Sequence, residues 1–233
     1  MAKCKTAVVK YRAQGARHGA ETLIVGAIGL IVIMLVNLLR PGTITIVEIF
    51  LLSACLGAIM IGFFKTQEPY YSLLLTAKQL TYQHKYGGWQ LSHNNFKHSG
   101  VPKIVAGFEV IELNAIGIKV NDMDEFLAAL APRIAGKLLI EQRNLFMQLV
   151  KVHCKSGDCP SEWLVEDNHY HSQQGGSYSG LIAMFANRCK HLKLLTGYDL
   201  LLPASVLDKN IWGMSSDLNN WKRNPCEFIT SQQ

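Results

Sequence analysis

Two long apolar runs between Thr22 and Phe64 constrain the chain more than anything else in it. They read TLIVGAIGLIVIMLVNLL and TITIVEIFLLSACLGAIMIGFF, and Arg40-Pro41-Gly42 separates them. At about 1.5 Å of rise per helical residue, each run can cross a hydrocarbon core of roughly 30 Å. The pattern predicts helices over about 22–39 and 43–64, folded back on each other as a transmembrane hairpin within residues 21–65. A cleaved signal peptide would carry a shorter run and no second one directly behind it.

Charge orients the hairpin. Up to Lys65 there are seven Lys/Arg against two acids; after it there are sixteen against fifteen. Positive flanks stay on the cytoplasmic side. Residues 1–20 therefore read as a basic cytoplasmic tail, and the protein as a multi-pass inner-membrane protein with both termini in the cytoplasm. Contact of the tail with anionic lipid is a further use for the charge, but a topology signal accounts for it. The balanced remainder argues against nucleic acid as a partner, since a nucleic-acid-binding domain carries a basic excess of its own. Of the six cysteines, Cys4, Cys55, Cys154, Cys159, Cys189 and Cys226, this topology leaves all but Cys55 in a compartment that keeps thiols reduced.

Within the second run, Ala54, Ala58 and Gly62 are spaced to let a neighbouring helix approach closely, and are expected to face the first run. Glu48 lies about one turn inside, near enough to the interface for a structural role.

Residues 66–150 read as an antiparallel β unit closed by helices. YYSLLLT (70–76) and QLTYQHKY (79–86) are strands, with Leu80, Tyr82 and His84 alternating against polar neighbours. Gly87-Gly88 reads as a two-residue hairpin turn. WQL and NNFKH continue the meander, and GFEVIEL and AIGIKV read as a pair about Asn114. Asp122 or Asp124 caps a helix bearing Phe126, Leu127 and Leu130. Pro132 opens another with Ile134, Leu138, Leu145 and Leu149 on one face.

Residues 151–233 read as a small α/β region. GGSYSG (175–180) resembles a nucleophile elbow but misplaces its serine by one position, so it reads as a flexible linker into a helix over 180–196. Ser177 or Ser179 would cap that helix and Gly197 would end it. YDLLLP is a buried strand, and a short helix near Ser216 carries Leu218 and Trp221.

The segments LTYQHKYGGW, AIGIKV, APRIAGKLL and EQR (Glu141 to Arg143), behind a membrane hairpin, resemble an uncharacterised gammaproteobacterial inner-membrane family. That family is a domain of unknown function, with a two-span anchor and a bacterial pleckstrin-homology-like domain. Phe96 holds the place of the packing residue that follows the aromatic-rich strand. The resemblance implies an α+β membrane protein: a transmembrane hairpin, a PH-like antiparallel β roll or barrel with a capping helix, and a small C-terminal α/β region. It transfers no catalytic or binding residue.

His153, Cys154, Cys159, His169 and His171 are the weak candidates for metal ligands. Their spacing lacks the paired Cys-x-x-Cys knuckles of zinc ribbons. No metal, cofactor or catalytic residue is expected. Tyr82 and Trp89 read as packing residues, and Arg143 beside Glu141 as a solvated or interdomain ion pair, with a ligand-gripping arginine as the alternative. The expected function is a membrane-anchored, cytoplasm-facing, non-enzymatic interaction or assembly module. Its partners are the lipid bilayer and an unidentified protein, with room for a homo-oligomer. The alternative is an enzyme or metal-dependent protein acting on a membrane-associated substrate through the His/Cys region. That alternative needs those side chains to converge; the module needs an exposed apolar patch or an open strand edge.

Overall fold

The computed structural model describes residues 7–12, 18–39, 42, 45–106, 109–154, 163, 165, 167–207 and 209–232. It divides into two compact units: residues 13–70, and residues 1–12 together with 71–233.

The first unit holds α1 (Gly19–Leu39) and α2 (Ile46–Thr66), both long and apolar enough to cross a membrane. Only 6 % of the most apolar window of each is buried, so neither is a core helix of this chain. Much of the expected turn at Arg40-Pro41-Gly42 lies outside the described residues. Thr45 caps α2, and its backbone N–H donates to Glu48 Oε2 at 2.7 Å, closing a capping box. Glu48 thus serves the helix start. The seam with α1 keeps Gly62, as expected, but not Ala54. It runs through Cys55, Ile59 and Gly62: a Cβ on Gly26 would meet Cys55 O and Ile59, and one on Gly62 would meet Leu23. Ala54 is exposed. Position 54 sits about 100° off that seam, while half-buried Ala58 lies about 40° from Gly62, at its border. The 4-then-3 spacing of 55, 59 and 62 keeps one stripe against a neighbouring helix, as shallow-angle packing requires.

The second unit begins with a strand inside the tail that charge alone had assigned to topology. β1 (Val9–Arg12) pairs antiparallel with β2 (Tyr71–Leu75), burying Val9 and Tyr11 and exposing Lys10 and Arg12. β3 (Gln79–His84) and β4 (Gly87–Ser92) complete a four-stranded sheet in the order β1-β2-β3-β4. The turn between the last two is Lys85-Tyr86, two residues earlier than expected. Neither has positive φ, and Gly87, at φ 131°, takes the conformation that a side chain would resist.

A second sheet has the order β11-β8-β5, from β5 (Phe96–Gly100), β8 (Ala115–Val120) and β11 (Leu200–Pro203). β6 (Lys103–Ala106) and β7 (Glu109–Glu112) pair with each other, so β7 does not pair with β8 as the sequence suggested. Asp122 caps α3 (Met123–Ala128), donated to by the N–H groups of Asp124 and Glu125. α4 (Pro132–Glu141) and α5 (Arg143–Cys154) replace one expected helix. They part at buried Gln142, whose Nε2 donates to Leu201 O at 2.8 Å.

Ser177–Ser179 is not a linker but β10, paired with β9 (His169–His171). α6 (Gly180–Thr196) then ends at left-handed Gly197. α7 (Ile211–Arg223) starts earlier than expected, and Pro225 opens α8 (Pro225–Ser231).

The core crosses the boundary expected at residue 150. One core cluster joins Leu73, Leu80 and Trp89 of the first sheet and Phe96 and Ile118 of the second to Phe185 of α6 and Trp221 of α7. Trp221 Nε1 donates to Thr76 O at 2.8 Å. Tyr11 Oη donates to Asp217 Oδ2 at 3.0 Å, an acceptor that Lys209 also reaches. The fold is therefore α+β, with antiparallel sheets sharing a core with helices from both halves of the chain.

Candidate interaction surface

The described residues of the second unit contain no group of three or more His, Cys, Asp or Glu that could hold a metal. His169 and His171 lie exposed on the same face of β9. His153 lies at the end of α5, its ring 5.2 Å from Trp163. Trp163 stacks on His191, His191 on Phe146, and the Arg188 guanidinium lies 4.0 Å from the Phe146 centroid. That ladder packs aromatic faces against cationic or polar rings. Burial depresses the Arg188 guanidinium to about 10. Cys154 is disulfide-bonded and so is not a thiolate ligand; Cys159 lies outside the described residues. Cys226 is disulfide-bonded too, whereas Cys55 and Cys189 are free. The expectation of reduced thiols rested on compartment, and the bonded sulfurs of Cys154 and Cys226 run against it.

Two surface features stand out instead. The first is the β6–β7 ribbon. Lys103 and Glu112 face each other at its base, 3.1 Å apart, and Ile104 packs against the cluster built by Phe146, Leu149 and Leu201. Beyond that anchor, Val110 is 60 % and Ile111 42 % exposed. Consecutive strand residues point to opposite faces, so the ribbon shows apolar side chains on both. Trp212, 47 % exposed at the start of α7, lies beneath the Lys103 ammonium at 5.4 Å. Among the described residues, neither outer edge of the ribbon is paired.

The edge of β5 is treated differently. There the Asn219 side chain accepts from Ser99 N–H and donates to Ser99 O, both at 2.9 Å, standing in for a neighbouring strand. One edge is sealed by a helix-borne amide while the ribbon stays open, and open edges recruit other strands. Sequence reasoning missed this because it paired Glu109–Glu112 with the wrong neighbour. The signal was present in KIVAGFEVIE, two apolar segments about a central glycine.

The second feature is the tip of the β3–β4 hairpin. Tyr86 is 37 % exposed and lies against α4. Its ring centroid is 5.0 Å from Lys137 Nζ, 5.4 Å from the Arg133 guanidinium and 5.4 Å from Lys85 Nζ. Glu141 Oε1 receives His84 Nε2 at 3.2 Å and lies 3.8 Å from Lys137. Glu141 therefore pairs with His84 and Lys137, while Arg143 opens α5.

A family model described as "Protein of unknown function (DUF2982)" matches residues 73–224, from β2 to the end of α7. No curated protein and no solved structure matches the chain.

Proposed function

The chain belongs to the DUF2982 family of proteins of unknown function, and from that premise we propose that it is a membrane-anchored, non-enzymatic module that recognises a protein partner. The observation that carries this reading is the β6–β7 ribbon, with Val110, Ile111 and Trp212 exposed and, among the described residues, both edges unpaired. Addition of a partner strand to such an edge supplies main-chain hydrogen bonds, and alternating side chains supply selectivity. The anchor is α1 with α2, whose exposed apolar faces suit lipid. The two antiparallel sheets with a shared core support a pleckstrin-homology-like roll for the second unit.

Pairing of β1 with β2 requires residues 9–12 and 71–75 to share one side of the bilayer, which two crossings provide and one does not. The basic tail favours the cytoplasm for that side, at the inner membrane. The disulfides at Cys154 and Cys226 favour a second reading, with the same unit facing the oxidising side. Reporter fusions after Gln233 decide between the two: phosphatase activity there places the unit outside, and its absence with an active cytoplasmic reporter places it inside.

A photo-crosslinking residue at Val110 of the full chain, irradiated in intact cells, tests the partner reading. The expected result is a discrete adduct, lost on Ile111→Asp and absent when the crosslinker replaces exposed Leu194. A second copy of this chain in the adduct makes the module self-associating. The same adducts from both positions, or none from Val110, would refute it.

A further inference from the structure

Two lengths of chain join the two units. Within the first unit, α1 begins beside the end of α2: a Cβ on Gly19 would meet Lys65. Within the second, Arg12 is paired with Tyr71. Residues 13–18 run from β1 to α1 and residues 67–70 from α2 to β2, ten residues in all. The chain thus leaves each unit at neighbouring points, and the pairing of β1 with β2 closes a loop through the helical hairpin.

β1 is a short edge element. Of its four residues, Val9 and Tyr11 are buried, and the register shifts between Tyr11 and Arg12. The Ser72 hydroxyl donates to Arg12 O at 3.4 Å beside that irregularity. Tyr11 makes the long-range tie, through its hydroxyl to Asp217 on α7. The Lys209 ammonium lies on the same carboxylate oxygen. Lys209 therefore stays with Asp217 when Tyr11 leaves, and undocking of β1 leaves no buried carboxylate unpaired. It uncovers the outer edge of β2 and the flanks of Leu75 and Leu73, which lie opposite Val9 and Tyr11. Edge elements with few inward side chains are among the first parts of a fold to open.

The length of the closing loop sets how readily β1 opens. While α1 is packed on α2 the pair moves as one, and ten residues separate it from the paired strands. With the helices apart, the loop is the whole of 13–70, fifty-eight residues. The chance of closure falls roughly as the three-halves power of loop length, which makes the docked strand about tenfold less favoured. The helix packing itself rests on glycine, since a Cβ on Gly26 would meet Ile59 and one on Gly62 would meet Leu23.

We propose that β1 is a releasable strap, and that the packing of α1 against α2 controls its release from β2. The strap works the same whichever side of a membrane the second unit faces, and it leaves the β6–β7 ribbon untouched.

Amide hydrogen exchange, read by mass spectrometry on the full chain in a neutral detergent, tests this. Peptides covering β1 report the strap, and peptides covering β8 report the rest of the unit. Gly62→Leu drives a side chain into Leu23 and parts the helices. Exchange in β1 should quicken by about tenfold, with β8 unchanged. About ten Gly/Ser residues inserted between Glu68 and Pro69 double the closing loop without touching the helix seam, and should quicken β1 about threefold. Should Gly62→Leu loosen β8 as well, the insertion decides alone. Exchange of β1 at the wild-type rate in either variant overturns the proposal, and so does an insertion that quickens β8 as much as β1.

Discussion

Gly117→Ala is the smallest change that should damage the second unit. Gly117 of β8 faces Gly100 of β5 across the sheet, and the Tyr198 ring lies over the pair. An added Cβ at Gly117 would collide with Tyr198 Cγ, and one at Gly100 with its Oη. Neither contact is tolerable, so the ring must leave, giving up its place against the Phe146–Leu149–Leu201 cluster. Overpacking of this kind costs about 1–3 kcal/mol. At about 2–4 °C per kcal/mol for a unit of this size, a 2 kcal/mol loss lowers the midpoint by roughly 4–8 °C.

The cause can be isolated by a cycle with Tyr198→Ala. Without the ring, Gly117→Ala should be neutral or stabilising by about 0.5–1 kcal/mol, since alanine loses less chain entropy than glycine. The two substitutions should thus couple by about 2–3 kcal/mol. Thermal unfolding of the full chain in detergent, followed by near-UV circular dichroism, measures all four corners. Additive costs, or a Gly117→Ala protein as stable as wild type, would show that Tyr198 does not rest on the glycine floor.

Trp221→Phe removes the donor to Thr76 O and should cost about 1–3 kcal/mol, while Trp221→Ala should cost about 3–5 kcal/mol; urea titration distinguishes the two. Burial, the largest influence on the Cys189 thiol, pushes its pKa far up, so alkylation at pH 8 should spare it until the unit unfolds. Rapid labelling of Cys189 in the native state would contradict its burial. Burial, with Lys119 and Lys97 nearby, holds His98 below its ordinary value of 6.5. The unfolded chain therefore takes up this proton first as pH falls. The His98 contribution to stability is complete above about pH 6.5 and is lost as pH falls through the lower folded value. An NMR titration should place the His98 midpoint below 6.5, and a midpoint above it would reverse the sign.

What the chain disclosed by itself followed the reach of each signal. The apolar runs, the Asp122 cap and the Gly197 stop are local, and they stand where periodicity and capping chemistry put them. β1 was illegible because four residues with two inward side chains make a weak pattern, and their partner lies beyond two long helices. The α4–α5 break was hidden because Gln142 is bonded to a strand from the far end of the sequence. The spacing of Arg133 and Lys137 was visible, but only folding brings Tyr86 between them. The His/Cys region attracted attention by composition, whereas the open ribbon lay in a stretch that looked like ordinary sheet.

The β1–β2 pairing also sets a timetable. A ribosome adding about 5–20 residues per second takes roughly 3–12 s to travel from Arg12 to Tyr71. Throughout that interval the first-made strand has no mate, and two long hydrophobic helices must be made before one arrives. The sheet is completed backwards, its oldest strand joining only after younger sequence has emerged.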